Sequence, residues 1–337
     1  MTGDPFSAAG MENPGVYRIT VPTPFPVGRI NVYLIKDERP ALIDTGPHSE
    51  RSLGVLREGL EKHGVRLADI RRILITHPHM DHFGLASWIL QEADAEIFVP
   101  EAGRAEVERF EAQWARGDAF LAETFPRLGV PHEYIDVILG MSEPLMQFAR
   151  ALPNVRGFEP GHEFAFDRFR LRAVHTPGHT PWCASLHCEQ GRFLFSGDFL
   201  LRKITSNPLM HPPEERTGAV HRPLLVYLES LARVRKLDLD LVLTGHGEPI
   251  PDHRRTIDRI REHHRRRAIR ILRHISDGPL TPFELSGRLF RNLPVAETFL
   301  GISEVMAHLE WLIERGEAEQ VEEGDFVKFK KLQSASP

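Results

Sequence analysis

The sequence predicts a fold of the α/β or layered α+β type, because short apolar strands alternate with amphipathic helices along the 337 residues. Several of these strands end in a turn of small residues that carries a histidine or an aspartate. The composition, 41% hydrophobic and 26% charged, is that of an ordinary globular protein. The length exceeds what one ordinary domain needs, so we expect a second domain.

The element order follows from apolar runs, turn residues and helical spacing. We expect strands at 16–21, 30–35, 41–43, 72–76, 95–99, 169–174, 184–187, 192–195 and 239–243, and helices at 49–63, 82–91, 222–236 and from about 252. The main domain should span 16–255. Residues 1–15 lack the apolar segment of a secretory signal, and we expect them to form a disordered tail.

Residues 104–160 form a helical insertion rich in large apolar side chains. It is too long for a simple connection between neighbouring elements. It is either a packed appendage or homodimer contact, or a lid over the site that favours an apolar or acyl substrate.

Residues 256–332 predict three helices and a hairpin, the order of a small winged helix. Thr281, Pro282 and Glu284 are typical of a helix start. Arginines in the first helix could meet phosphates. The third helix and the hairpin turn are acidic, however, and would repel a duplex. We therefore expect a structural cap or oligomer contact, with nucleic acid as the weaker alternative.

The two cysteines, Cys183 and Cys188, should lie on opposite faces of one strand and stay unbridged, which favours a reduced, cytoplasmic location. No apolar run is long enough to cross a membrane.

The segment after the strand at 72–76 reads His77-Pro78-His79-Met80-Asp81-His82. Imidazole and carboxylate groups are the usual ligands of zinc-like ions. Their density in one short turn would crowd polar groups together unless a cation held them.

Three later turns repeat one design, in which an apolar strand ends in small residues and one metal-capable group. These turns carry His179, Asp198 and His246. Glycine in each turn permits a close approach of the backbone to a shared centre. Together with Asp44, after the strand 41–43, the ordered set predicts a metal site.

This ordered set resembles that of the metallo-β-lactamase fold hydrolase superfamily over residues 16–255, and the C-terminal domain resembles its lactamase-beta-2-like branch. The resemblance implies an α+β fold, an αβ/βα sandwich with two divalent metal ions at one edge. It implies that His77, His79 and His179 hold one ion, that Asp81, His82 and His246 hold the second, and that Asp198 bridges both. Asp44 would orient a ligand without binding metal. Zn²⁺ is the expected ion, with Mn²⁺ or Fe²⁺ as alternatives.

We expect a hydrolase that uses a hydroxide shared by the two ions to cleave an ester, thioester or lactone, with Asp81 and Asp198 as catalytic residues. Alternatives that keep the fold are a single-strand endoribonuclease with the same ions and an oxidoreductase with one iron, like the persulfide dioxygenases. No Gly-x-Ser-x-Gly nucleophile elbow competes with the metals.

Residues around the ligands are further candidates. His175 should support the turn that carries His179, and the candidates for substrate contact are Arg202, Lys203 and His211. Trp182 stands where many members of the superfamily have glycine, so it should narrow or wall the site.

Overall fold

The computed structural model describes residues 2–7, 10–215 and 217–332. A first sheet has seven strands in chain order. The first three pairings of neighbouring strands are antiparallel and the last three are parallel. Its strands are β1 (Thr2–Gly3), β2 (Val16–Val21), β3 (Ile30–Ile35), β4 (Ala41–Ile43), β5 (Arg72–Leu74), β6 (Glu96–Pro100) and β7 (Arg156–Phe158).

A second sheet has five strands in the order β12-β11-β10-β9-β8. They are β8 (Glu163–Ala165), β9 (Arg170–His175), β10 (Ala184–Cys188), β11 (Phe193–Gly197) and β12 (Leu241–Thr244). Only β11 and β12 are parallel, and this pairing brings Gly197 beside Thr244. Cys183 and Cys188 are free and buried, but only Cys188 lies within the strand predicted to carry both, because β10 begins one residue after Cys183.

The two sheets pack face to face, as the side chains of β3 show by alternating between an inner and an outer core. Tyr33 and Ile35 enter the apolar core between the sheets with Phe193 and Phe195 of the second sheet. Val32 and Leu34 point to the other face. Successive side chains of a strand alternate between faces, so each sheet can bury both sides.

Helices cover the outer faces. On the first sheet lie α1 (Glu50–Glu61), α2 (Met80–Phe83) and α3 (Ala86–Ile89), and on the second lie α8 (Pro223–Val234) and α9 (His253–His274). This is the expected αβ/βα sandwich. One prediction is wrong: the single helix at 82–91 is two short helices. They part at Gly84, whose Cα packs so tightly that an added Cβ would lie 2.2 Å from the Phe148 carbonyl oxygen.

The insertion contains α4 (Arg104–Glu108), α5 (Phe110–Arg127), α6 (His132–Gly140) and α7 (Ser142–Met146). Its helical part ends at Met146, earlier than predicted, because the chain then returns to the first sheet as β7. Phe110 packs in the outer core of that sheet, whereas Phe125 and Ile135 pack against the C-terminal helices. These side chains fill cores, as in a packed appendage, and do not line a lid.

The C-terminal segment has the predicted order: after α9 come α10 (Pro282–Leu289), α11 (Thr298–Glu314) and a hairpin of β13 (Ala318–Glu323) and β14 (Phe326–Lys331). Thr281 and Glu284 form the predicted capping box at the start of α10. The third helix, α11, is buried along much of its length and packs on α8, α9 and α10.

The expected disorder of residues 1–15 is contradicted within the described residues. β1 pairs with β2, and Phe6 is fully buried with its ring edge against Phe193 at 5.1 Å. Burial of this aromatic side chain between the sheets and the pairing of β1 with β2 both oppose the loss of chain entropy in the segment. No helix in the described ranges is long and apolar enough to span a membrane.

Candidate metal centre

Five strand ends meet at one edge of the sandwich. Asp44 follows β4, the 77–82 segment follows β5, and the residues after β9, β11 and β12 carry His179, Asp198 and His246. The structure therefore brings together side chains that lie far apart in sequence. All seven predicted metal ligands belong to three overlapping groups of three residues. Within each group, one potential ligand atom from each residue lies within 4.8 Å of the other two.

The first group consists of His77, His79 and His179. The Nδ1 atom of His79 lies 3.0 Å from Nε2 of His77 and 3.1 Å from Nε2 of His179. Two nitrogens bound to one tetrahedral Zn²⁺ lie about 3.3–3.4 Å apart, given a Zn–N distance of about 2.0–2.1 Å. The three rings are thus spaced to share one ion.

The second group consists of Asp81, His82 and His246, with Nε2 of His246 3.3 Å from Oδ2 of Asp81. Asp198 lies between the two groups. Its Oδ1 is 3.5 Å from Nε2 of His82, and its Oδ2 is 3.5 Å from Nε2 of His246 and 3.9 Å from Nε2 of His179. This position matches that of a carboxylate bridging two ions.

Asp44 touches ligands without belonging to either group. Its carboxylate accepts hydrogen bonds from the backbone N–H of Thr76 at 2.8 Å and the hydroxyl of Thr76 at 2.9 Å. It lies 2.8 Å from Nδ1 of His82, so this nitrogen donates to it. The Nε2 lone pair of His82 is thereby aimed at the centre, a common arrangement around metal-bound histidine.

Other ligand rings are fixed by partners that sequence reasoning did not find. Nδ1 of His179 donates to the carbonyl of Asn207 and Nδ1 of His246 donates to the carbonyl of Arg29, each at 2.9 Å. Backbone carbonyls leave no signal in residue type. The role of Thr76 could have been predicted from the sequence, because its hydroxyl is next to His77 in the chain and can reach the ring of that histidine.

Glycine is required where the turns approach the centre. A Cβ on Gly245 would lie 2.4 Å from Oδ1 of Asp198, so only glycine lets this turn pass so close to the Asp198 carboxylate. Gly178 has a φ of +149° and packs on Tyr227, where a Cβ would lie 2.5 Å from the ring. This turn presents His179.

The charges of the centre favour a cation. Burial by itself would raise the pKa of Asp198, but His246 and His82 hold that pKa well below its ordinary value. Burial would lower the pKa of His82, but Asp44, Asp198 and Asp81 raise it well above its ordinary value. The carboxylates therefore attract positive charge, and a metal ion competes with protons for the same nitrogens.

Several buried atoms in the centre have no hydrogen-bond partner among the described residues: Nε2 of His82, Nε2 of His246 and Oδ1 of Asp198. Buried polar groups in folded proteins are normally paired, and an unpaired one is costly. All three atoms lie within 3.5 Å of another potential ligand atom of the centre. The residues present thus fit two divalent ions of the zinc type.

The flanking candidates separate into two sets. His175 bonds through Nε2 to the carbonyl of Pro181 at 2.9 Å, which closes the turn that carries His179. Arg202 and Lys203 are exposed, and Arg202 bonds to the carbonyl of Pro249. In the described part of the chain neither makes a polar contact with a metal ligand.

His211 and Trp182 form a wall beside the first group. Their rings are 4.8 Å apart in an edge-to-face arrangement, and Gly103 of the insertion packs against Trp182 on its far side. His211 is buried enough, and near enough to His221, His79 and His179, that its pKa lies well below the ordinary value. It therefore offers a neutral imidazole, whose Nε2 has no partner among the described residues.

Comparison with known proteins supports a metal-binding role for this centre. The family model of the metallo-beta-lactamase superfamily matches residues 25–246, so the chain belongs to this superfamily. A probable metallo-hydrolase of Bacillus subtilis, YqjP, is 31% identical over 96% of this chain and 99% of its own length. The predicted superfamily is thus confirmed, and the chain is a metallohydrolase.

Further relatives cover the C-terminal segment as well. A beta-lactamase-like protein 2 homolog of Caenorhabditis elegans is 25% identical over 94% of this chain and 88% of its own. A metallo-beta-lactamase family protein of Thermus thermophilus superposes with a TM-score of 0.79 at 28% identity, covering 95% of this chain and 99% of its own.

The hydroxyacylglutathione hydrolase GloC of Haemophilus influenzae is 28% identical over 51% of this chain and 67% of its own.

Proposed function

We propose that the protein hydrolyses an ester, thioester or lactone at a centre of two divalent metal ions, with zinc as the expected ion. The proposal rests on the two groups of three ligands with Asp198 near both of them, and on ligand atoms among them that have no hydrogen-bond partner in the described residues. Two such ions supply hydroxide at neutral pH and polarise the carbonyl that it attacks.

The side chains around the centre define what the protein itself contributes. Asp198 and Asp81 keep their carboxylates charged, so they would hold the metal ions and can orient an attacking water by accepting a hydrogen bond from it. His211 can donate a hydrogen bond from a neutral imidazole to an oxygen of the substrate. Trp182 provides the apolar surface against which an acyl group can pack.

The two cysteines are poor nucleophiles. Burial raises the pKa of Cys183 to about 12 and that of Cys188 above its ordinary value, so neither thiol ionises readily. One relative carries the name hydroxyacylglutathione hydrolase, and its substrate is a thioester by that name. This supports acyl thioesters as the first substrates to test.

A nuclease is the weaker proposal. Burial has the largest influence on the pKa values of the seven ligands. The charged groups that act on them next are the other ligands and, for His82, Asp44, with no Lys or Arg among them. A polyanionic substrate would need cationic contacts near the reacting phosphate. In the C-terminal segment, α11 would be the reading helix of a winged helix, but it is largely buried.

The test is a substrate panel of acyl thioesters, lactones and single-stranded RNA, assayed with the wild-type protein and His79→Ala. The variant removes the nitrogen that lies between His77 and His179. Loss of a direct ligand should reduce kcat/KM for the acyl substrate by more than the roughly 10–100-fold typical of outer partners. The exposed His132→Ala, on α6, is the matched control and should keep full activity.

Three results would overturn the proposal. Full activity of His79→Ala, or of protein treated exhaustively with chelator, would exclude the metal centre. RNA cleavage lost in His179→Ala, without turnover of thioester or lactone, would favour the nuclease. One iron per chain with oxygen consumption would favour the oxidoreductase.

A further inference from the structure

A second cluster of metal-capable side chains lies between α9 and α11, apart from the seven ligands already described. His264 extends from α9, and Glu304 and His308 extend from α11. Residues four apart on a helix lie on the same face, so Glu304 and His308 present their side chains together toward α9. One ligand atom from each of the three residues lies within 4.8 Å of the other two.

The two imidazoles are oriented as ligands. Nδ1 of His308 donates to the carbonyl oxygen of Glu304 at 2.6 Å, which leaves its Nε2 with a lone pair. That Nε2 accepts a hydrogen bond from Nδ1 of His264 at 3.1 Å, and a bound ion would take the place of the shared proton. Burial lowers the pKa of both rings to about 3, so both are neutral at physiological pH.

The carboxylate of Glu304 is the independent sign that a cation belongs here. The residue is only 6% exposed, and its Oε1 has no hydrogen-bond partner among the described residues. Its nearest basic atoms are Nη1 of Arg267 and Nδ1 of His308 at 3.8 Å and Nε2 of His263 at 4.0 Å, all beyond hydrogen-bonding distance. A buried carboxylate left this way is unfavourable.

Arg267 does not neutralise the cluster fully. Its guanidinium stacks over the ring of Phe290, 4.6 Å from the centroid, and its Nη1 has no hydrogen-bond partner in the described ranges. The side chain is therefore held by the aromatic ring and leaves Oε1 of Glu304 free for another cation.

We propose that His264, Glu304 and His308 bind a third metal ion, of the zinc type, that links α9 to α11. Two histidines and one glutamate are a ligand set that zinc takes. The separation of 3.1 Å between the two ring nitrogens is close to the about 3.3–3.4 Å that a tetrahedral zinc ion requires. His263, next to His264, is the candidate fourth ligand.

The role of this ion is structural. His264 and His308 are fully buried, so no substrate reaches them. The α11 residues next to the cluster hold the loop that positions His179, because Ser303 accepts a hydrogen bond from the backbone N–H of Met210. The ion would fix α11 against α9 and so steady this loop from behind.

The test is a metal count on the full chain. Wild-type protein and the variants His264→Gln, His308→Gln and Glu304→Gln are equilibrated with Zn²⁺, desalted and analysed by mass spectrometry for zinc per chain. Each variant should retain one ion fewer than the wild type, with the ions of the centre around Asp198 still bound. His274→Gln, a partly exposed histidine on the same helix, is the control and should lose none.

Glu304→Gln keeps the size of the side chain and guards against variants that fail to fold. For this variant, the rise in unfolding midpoint between chelator and zinc should be smaller than for the wild type. Equal zinc counts and equal midpoint rises in wild type and Glu304→Gln would overturn the proposal, leaving a polar cluster only. A failed metal centre would instead appear as lost activity with the third ion still bound.

Discussion

At the scale of single residues, the metal centre depends on partners that bind no metal themselves. Asp44 has a φ of +59°, a conformation that few residues other than glycine, asparagine and aspartate adopt readily. This turn lets its carboxylate accept from Thr76 and from His82 together. Strain in the backbone thus serves the orientation of one ligand ring.

We expect Asp44→Asn to weaken metal binding by about 10–100-fold, the usual effect of removing an outer partner of a metal ligand. Asparagine tolerates the same backbone conformation, so the fold should persist. Chelator competition, with metal per chain as the readout, measures the change. Asp136→Asn on α6, which is exposed, should bind metal like the wild type. Unchanged affinity in Asp44→Asn would show that Thr76 alone suffices to orient the ring.

At the scale of elements, α11 and the loop after β11 act together on His179. Nδ1 of His179 donates to the carbonyl of Asn207, and the amide of Asn207 donates to the carbonyl of Leu300 in α11 at 3.1 Å. Ser303, also in α11, accepts from Met210 in the same loop at 3.2 Å. The C-terminal helices therefore contribute to the position of a metal ligand.

We expect Ser303→Ala to loosen this loop. The backbone N–H of Met210 would lose its partner, at a cost of about 1–3 kcal/mol in the free energy of unfolding. Metal affinity should fall together with stability, because the loop holds His179. Urea unfolding and chelator competition measure the two effects, and Ser276→Ala, at an exposed hydroxyl, is the control. A loss of stability with unchanged metal affinity would limit Ser303 to a role in folding.

At the scale of the whole molecule, the two predicted domains share their cores. Ile257 and Ile260 of α9 pack with Leu194 and Val242 of the second sheet, whereas Ile271, further along the same helix, packs in the C-terminal cluster. The insertion joins that cluster through Phe125. One helix thus belongs to both units, and the boundary at residue 255 falls inside its first turn.

We therefore expect the chain to unfold in one cooperative transition, because neither unit can open without exposing a shared core. Urea unfolding would follow circular dichroism and tryptophan fluorescence, with Trp88→Phe and Trp311→Phe silencing a reporter in each unit. All curves should coincide. Bound metal should raise stability by about 2.7 kcal/mol at a concentration 100 times Kd. Two separate transitions would show that residues 256–332 unfold independently.

The sequence predicted most elements because periodicity and turn residues are local signals. The strands 16–21 and 30–35 and the capping box at Thr281 follow such signals directly. The errors have tertiary causes. The helix is divided after Gly84, where the N–H of Leu85 donates to the carbonyl of Gly46 in a distant turn, and Phe6 packs against Phe193 of the far sheet. Neither contact can be read from neighbours in the chain.

The types of metal ligand and their order along the chain follow from the sequence alone, because the histidines and aspartates stand at predicted strand ends. Which of their atoms face one another depends on tertiary packing. It aims Nε2 of His82 by placing Asp44 behind the ring, and it fixes His179 through a carbonyl that any residue could supply. It also brings His264 to Glu304 and His308 across two helices. Distance along the chain hides such pairs, because packing alone sets the few ångströms between them.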